Sequence, residues 1–357
     1  MTHDFLIIGG GVAGLSAAAR LAPEGALVLL EAEEALGYHA SGRSAALYEP
    51  HYGNPAVVAL SMASGAYYHG SGLLSPRGVM FLDGPDQGAR FRAHVAEFAL
   101  TELSLAEARG LFPILNPETV GFAAHAASAW DIDTDAYLQR LARETRTAGG
   151  EIVTRARVER ITRLPGGWEV ATGERVFRAR VLINAAGAWV DRVAALAGVA
   201  PLGFTPLRRS MARIGLPAGL DPAGWPMVIG GAEEWYCKPD AGALIVSPAE
   251  EDPAEPHDAF ADDMVLAEGL ARYEAMVSAP VTRMIANWAG LRTFSPDRAP
   301  VIGFAPAEPG FFWLAGQGGY GFQSAPAASA LAAALLCGRA PDLAPEIVAS
   351  VAPGRLT

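Results

Sequence analysis

The chain opens on an apolar run, Asp4-Phe5-Leu6-Ile7-Ile8, which breaks at Gly9-Gly10-Gly11-Val12-Ala13-Gly14 and gives way to an Ala-rich stretch. A second apolar run, Ala26-Leu27-Val28-Leu29-Leu30, ends on Glu31. Uninterrupted apolar runs of this length predict strands buried on both faces, so the opening reads strand, helix, strand. Residues 55–115 read as helices separated by Gly and Pro breaks, with Ser75-Pro76-Arg77-Gly78 leading into an apolar strand at Val79–Leu82. Asp131-Ile132-Asp133-Thr134-Asp135 offers cap residues for a helix through Tyr137–Arg143, and Gly149-Gly150 stops it.

A meander follows. Arg157–Arg163, Trp168–Ala171 and Arg175–Ala179 alternate apolar and polar around the turns Pro165-Gly166-Gly167 and Thr172-Gly173. Val181-Leu182-Ile183-Asn184 reads as a separate buried parallel strand that runs into Ala185-Ala186-Gly187-Ala188-Trp189. From about residue 200 to 290 the pattern turns to Pro-rich strands and one helical stretch, Asp262–Val277. The last segment returns to a strand, Phe311–Ala315, then Gly316-Gln317-Gly318-Gly319-Tyr320-Gly321, then an Ala-rich helix.

The spacing carries chemistry. Gly9, Gly11 and Gly14 form G-x-G-x-x-G directly after a strand. Gly9 permits the tight turn, Gly11 lets backbone approach a pyrophosphate, and Gly14 lets helix and strand pack closely. The helix N-terminus offers unpaired N–H groups to phosphates, and Glu31 can accept from a ribose. Together these predict a bound dinucleotide. The motif occurs once, whereas flavoenzymes that also bind NAD(P)H commonly carry two. Glycine-rich contacts at the start, middle and end of the chain suit a tightly held FAD better than a diffusing cosubstrate.

Composition narrows the rest. Hydrophobic residues make up 51% and charged residues 18%, enough for a large core. The net charge of −11 argues against nucleic acid or an anionic membrane surface as partner. Cys237 and Cys337 stand alone, and the seven histidines show no ligand spacing, so no metal and no disulfide framework is expected. The longest apolar stretch near the C-terminus, Ser329–Cys337, falls short of the ~20 residues that span a bilayer. A strand beginning within four residues leaves no room for a signal peptide, and a cytoplasmic location is expected.

These motifs resemble the D-amino-acid oxidase superfamily of FAD-dependent oxidoreductases, and within it the bacterial D-arginine dehydrogenase type. The likeness runs along the whole chain. Its specific stretches are Gly37–His39 with Ser41–Ala46, Asp131–Asp135, Asn184–Trp189, Arg208–Ser210, Tyr236 with Lys238–Gly242, Trp288–Arg292 and Gln317–Gly321. The resemblance implies an α/β fold: a Rossmann-type FAD-binding domain built from residues 1–50, 135–203 and 290–357. Residues 51–134 and 204–289 would form an α+β substrate domain with an antiparallel sheet.

It also implies site residues. Gly9, Gly11, Gly14, Glu31, Ser41, Gly42, Arg43, Ser44, Ala46, Val158, Ala185, Gly187, Trp189, Arg292 and Gly318–Gln323 would meet the cofactor; that last run includes Gly319, Tyr320, Gly321 and Phe322. The FAD would be noncovalent: no cysteine stands in Gln317–Gly321, and His39, which could offer a linkage, has matches that hold FAD without one. Arg209 and Arg292 take the positions that hold a substrate carboxylate, a task a guanidinium fork suits. A surface charge beside Arg208 is the competing reading of Arg209, and a strand-end ion pair that of Arg292. Tyr236 and Tyr52 would close the pocket and donate O–H bonds, while Gly319 and Gln323 would meet the amine or the flavin edge.

Two departures bear on the substrate. Val79 stands where the D-arginine type carries an acid for the distal guanidinium, and Leu47 stands where it carries a histidine. A valine cannot hold a guanidinium, so neutral or apolar side chains are expected. Glu49 could restore a negative charge by pointing inward, but an exposed Glu49 is the expectation. The implied activity is oxidative deamination of D-amino acids to 2-oxo acids and ammonia, by hydride transfer from Cα to flavin N5. A quinone or other carrier, or oxygen, would reoxidise the flavin. The alternatives are a secondary amine such as sarcosine, glycine or proline, a 2-hydroxy acid, or, more remotely, a non-catalytic flavin-binding subunit.

Overall fold

The computed structural model describes residues 2–357, and its elements divide between two large sheets and one small one. The first sheet has a parallel centre. Thr2–Ile8 lies between Leu27–Leu30 and the long strand Arg175–Asn184, with Glu151–Val153 beyond Leu27–Leu30. Glu308–Ala315 pairs parallel with the far half of Arg175–Asn184, and Val301–Ala305 closes that edge antiparallel. The helix Val12–Leu21 packs on one face, against Thr134–Thr147 and Gly321–Leu336. Their interface is a core of Leu15, Ala18, Leu21, Leu138, Leu141, Ala328 and Leu331.

One sequence expectation needs correcting here. Arg175–Ala179 and Val181–Asn184 are a single strand, Arg175–Asn184. Its first half is the third strand of the meander, pairing antiparallel with Gly167–Thr172, and its second half is a central parallel strand. Arg180 reads as a break because it is charged, yet its side chain points out to Asp4 and interrupts nothing.

The second sheet runs Asp252–Pro253, Thr205–Ile214, Ala243–Ser247, Trp235–Asp240, Met227–Gly230, Val79–Asp83, Phe122–Ala126, Thr101–Leu103. Met284–Phe294 pairs with Thr205–Ile214 along almost its full length. This sheet is antiparallel, as expected, with one parallel pair, Met227–Gly230 beside Val79–Asp83. The helices Leu105–Leu111 and Asp263–Met276 cover it over Phe112, Trp225, Trp235 and Tyr273. Asp133 and Asp262 cap their helices by accepting from Ala136 N and from Met264 N and Val265 N.

The helix Gly321–Leu336 contains Pro326, which has no N–H to give to the carbonyl of Phe322. The buried Tyr68 hydroxyl donates to that carbonyl instead, from the helix Gly65–Ser71. Tyr68→Phe strands a buried carbonyl. We expect a loss of about 1–3 kcal/mol in unfolding free energy, read as a lower denaturant midpoint with unchanged slope.

Candidate active site and cofactor trough

Three neighbouring cavities with shared walls form one trough. The first is lined by Gly9, Gly10, Gly11, Glu31, His39, Val158, Ala185 and Trp189. It shares Gly11, Ser41, Arg43, Ala185 and Gly187 with a middle section. The middle shares Ser44, Arg209, Arg292, Gly319 and Phe322 with a terminal chamber.

At the first end the backbone is packed too closely for side chains. A Cβ on Gly9, where φ is +112°, would lie 2.3 Å from Ala185 O, and one on Gly14 would lie 1.9 Å from Gly9 O. Gly14 therefore packs helix on strand and does not itself line the trough. The buried Glu31 carboxylate accepts from Gly10 N at 2.6 Å and Glu33 N at 2.8 Å, which fixes the turn and leaves lone pairs facing the cavity. His39 sits at this end, 3.2 Å from Glu33 and against the Trp189 ring.

In the middle section two helices begin. Neither Val12–Leu21 nor Gly321–Leu336 has a side chain capping it from its N-cap residue, and neither carries an acid in its first turn. Gly11, Val12 and Ala13 from one, and Gly321 and Phe322 from the other, line the same space. Gln317 Nε2 and Thr293 Oγ1, on lining residues, are buried without a hydrogen-bond partner. Helix N-termini free of acids, glycine backbone and orphaned donors suit a pyrophosphate and the polar edge of a flavin ring.

The loop 37–46 borders this section and is held from several sides. Gly42 N donates to Gly37 O at 2.6 Å and Val12 N to Ser41 Oγ at 3.0 Å. Arg43 gives its guanidinium to Ala259 O and Ala289 O, both at 2.8 Å, and to Asp258. Lys238 Nζ reaches Ala45 O and, at 2.9 Å, Asp131, which also pairs with Arg77 at 2.7 Å. The sequence reading did not single out this Lys238–Asp131–Arg77 anchor. Ala46, with φ +36°, turns the chain into the two-residue strand Leu47–Tyr48, and it faces the terminal chamber.

Arg209 and Arg292 enter the terminal chamber from neighbouring strands. Arg209 stands opposite Gly290 and Leu207 opposite Arg292, which puts both guanidinium groups on one face of the sheet. Arg209 is buried, bonded to Glu250 O at 2.8 Å and to Glu251 at 3.3 Å. Burial, then the nearby Arg292 charge, lowers its pKa. Arg208 points the other way to Asp252, so the surface-charge reading belongs to Arg208 and not to Arg209. A Cβ on Gly319 would lie 3.1 Å from Arg292 Nη1, so glycine makes room for that guanidinium. Arg292 Nη2 lies 3.4 Å from the Tyr236 hydroxyl.

The other walls are Leu47, Val79, Phe81, Phe98, Leu100, Met227 and Ile229, with Tyr52, Glu233, Glu49 and Gln323 as the remaining polar groups. Tyr52 donates to Glu233 at 3.0 Å, and burial raises its pKa. Gln323 bonds Tyr52 O and Glu49 N, tying the start of the last long helix to residues 49–52. Glu49 corrects the expectation of an exposed side chain: it is buried and lines the chamber. Its backbone leaves a strand too short for alternation to set a direction. Tyr320 stands outside the chamber, at an opening shared with Tyr52, Glu251 and Arg298.

The family model described as "DAO: FAD dependent oxidoreductase" matches residues 4–335. A glycine oxidase from Pseudomonas aeruginosa is 28% identical over 374 residues, covering 97% of this chain and 98% of that protein. The solved glycine oxidase from Geobacillus kaustophilus superimposes with a TM-score of 0.82 at 21% identity, covering 96% of each chain. The L-proline dehydrogenase from P. horikoshii gives 0.84 at 20% identity, covering 99% of this chain and 97% of the other. These two structural likenesses speak for the fold. The chain spans about half the length, 41% and 59%, of two other curated relatives that it matches.

Glu31→Ala removes the acceptor for one buried and one part-buried N–H group, at about 1.5–3 kcal/mol for the buried one. The purified variant is expected to emerge depleted of flavin, seen as a lower ratio of visible to ultraviolet absorbance, while retaining its secondary structure by circular dichroism.

Proposed function

The chain belongs to the family of FAD-dependent oxidoreductases and uses FAD, and from that premise we propose that it oxidises the Cα–N bond of a D-amino acid with a neutral or apolar side chain. The product imine then hydrolyses to a 2-oxo acid and ammonia. The observation that carries the reading is the pair Arg209 and Arg292 on one sheet face, aimed into a chamber whose remaining walls are mainly apolar. Two fixed cations in a low-dielectric site match a carboxylate, and a bidentate fork also sets its orientation. When bound, FAD supplies the acceptor for the hydride that leaves Cα. The protein's own task is positioning.

Tyr236 holds Arg292 from the side, Tyr52 narrows the opening with Glu233, and Leu47, Val79, Phe81 and Ile229 surround the space for a side chain. Val79 and Leu47 offer nothing to a distal guanidinium and Glu233 already accepts from Tyr52, which supports a preference against D-arginine despite the resemblance to that type; the inward Glu49 is the one chamber acid that could oppose it. Noncovalent FAD fits the setting. His39 is engaged with Glu33 at the nucleotide end, and among the described residues neither Cys237 nor Cys337 lines the trough. The division into FAD segments 1–50, 135–203 and 290–357 and substrate segments 51–134 and 204–289 is part of the proposal. It follows the first and second sheets, except that the strand Met284–Phe294 runs across residue 289. Among the described residues no helix is long and apolar enough to cross a membrane. A quinone or other carrier, or oxygen, is the proposed acceptor.

A second reading has its own support. The relatives named glycine oxidase and L-proline dehydrogenase point to small or secondary amino acids, which the same arginine pair would hold. Anaerobic mixing with a panel of amino acids, followed by flavin bleaching, separates the readings. Apolar D-amino acids are expected to bleach fastest. Faster bleaching by glycine, sarcosine or proline would favour the second reading, and D-arginine or D-lysine in first place would overturn the side-chain argument. Readmitting air then separates oxygen from a carrier as acceptor. Arg292→Met is expected to cost about 2–5 kcal/mol in kcat/KM, roughly 30- to 5,000-fold, because it removes half of a buried charge pair with substrate.

A further inference from the structure

Within the chamber one strong acceptor has no partner. Glu49 Oε1 accepts from His51 N at 3.1 Å and lies 3.2 Å from His51 Nδ1, while Oε2 is buried with no hydrogen-bond partner. The two ends of this pair see different surroundings, because the Glu49 side chain is 12% exposed and that of His51 is 51% exposed. A buried carboxylate is costly unless a donor completes it, and the empty side of this one belongs to a residue that lines the chamber.

An amino acid reaches the site as a zwitterion. With its carboxylate on Arg209 and Arg292, its ammonium needs an acceptor, and it must lose a proton before Cα–H can leave as hydride. We propose that Glu49 is the base that takes this proton, and that His51 relays it to solvent. The assignment rests on the amino-acid reading above. The ammonium N–H bond breaks as an O–H bond forms on Glu49, leaving a neutral amine. The carboxyl group then turns to bring that same proton to His51 Nδ1 and passes it on, restoring the carboxylate, and the imidazolium releases one from Nε2 to water. The hydride and its electron pair go to FAD, as already described.

The charged and titratable groups around Glu49 agree with that role. Tyr48 and His51 flank it, the neutral Gln323 amide approaches from the last long helix, and Tyr52, Tyr236, Arg209, Arg292 and Glu233 share the chamber. Glu233 is the other acid there, but its carboxylate already accepts from Tyr52. Burial raises the Glu49 pKa and the His51 contacts partly oppose the rise, which moves the base toward neutral pH, where proton transfer is most effective.

The test is anaerobic flavin reduction of the holoenzyme across pH, with the best amino acid of the panel. In the wild type the rate should climb with pH through a limb set by a base above the ordinary carboxylate range, then level off. Glu49→Gln should lose roughly 100-fold or more at neutral pH. It should then recover about tenfold per pH unit as free neutral amine becomes populated. Its affinity for benzoate, which has a carboxylate and no amine, should stay at the wild-type value. A Glu49→Gln profile parallel to the wild type overturns the proposal even if amino acids remain substrates. Wild-type flavin that no amino acid bleaches overturns it together with the amino-acid reading. Should Glu49→Gln fail to retain flavin, His51→Asn carries the test: several-fold slower reduction in dilute buffer, restored by added imidazole, is expected. An imidazole-independent rate equal to the wild type overturns the relay.

Discussion

Two guanidinium groups held side by side in a mainly apolar chamber set the terms for everything around them. Each loses hydration, and each raises the cost of charging the other, which is why the pKa of Arg209 falls. The fold meets part of that cost with the carbonyl of Glu250 and the carboxylate of Glu251, itself shared with Arg298. What remains is unspent attraction for an anion. Because both arginines stem from paired strands of one sheet, their separation is set by backbone register and not by side-chain entropy. That is preorganisation in a literal sense: the ordering cost is met during folding and does not fall on substrate binding.

Placing those guanidinium groups at the end of the trough requires that two sheets meet along a fixed seam. The seam is the loop 37–46, which leaves the first sheet after Glu31 and ends in the wall of the chamber. It carries few apolar anchors, so its position depends on ionic and backbone contacts. Arg43 fastens it to carbonyls at 259 and 289, and Lys238 donates directly to Ala45 O while also pairing with Asp131. These contacts join residues far apart in sequence, and they run between the sheets rather than within either. A part-buried triad of this kind is a weak source of net stability but a strong fixer of geometry, since removing one member leaves its partners without a counter-charge.

How much of this was legible in the sequence follows from the range of each interaction. The nucleotide end was readable because its demands are local: Gly9, Gly11 and Gly14 are spaced by the turn and helix they build, and Glu31 ends the next strand. Helix starts at Asp133 and Asp262 were readable for the same reason. Arg209 and Arg292 were located only through family resemblance, because nothing near either residue reveals that they face one chamber. The Lys238–Asp131–Arg77 anchor was invisible, since it joins residues 54 and 107 positions apart. Glu49 was misjudged as exposed because the two-residue strand before it sets no alternation, and its direction is decided by His51 and Gln323. The join at Arg180 failed differently, because a charge in the middle of a strand looks in sequence like a break in it.

The arrangement of charge within the chamber bears on which carboxylates it would admit. Arg209 and Arg292 stand as cations, Glu233 is occupied by Tyr52, and Glu49 retains an open oxygen. A zwitterion brings a carboxylate for the first group and an ammonium for the last, so both buried charges gain a counter-charge. A 2-hydroxy acid would satisfy the arginines and offer Glu49 a neutral hydroxyl, leaving a buried carboxylate without a counter-ion or forcing it to take up a proton. On the proposed reading, charge matching would favour amines over alcohols, which the arginine pair alone does not distinguish. A single oxygen atom, Glu49 Oε2, makes that difference, which is why substitution of Glu49 separates amine chemistry from carboxylate binding.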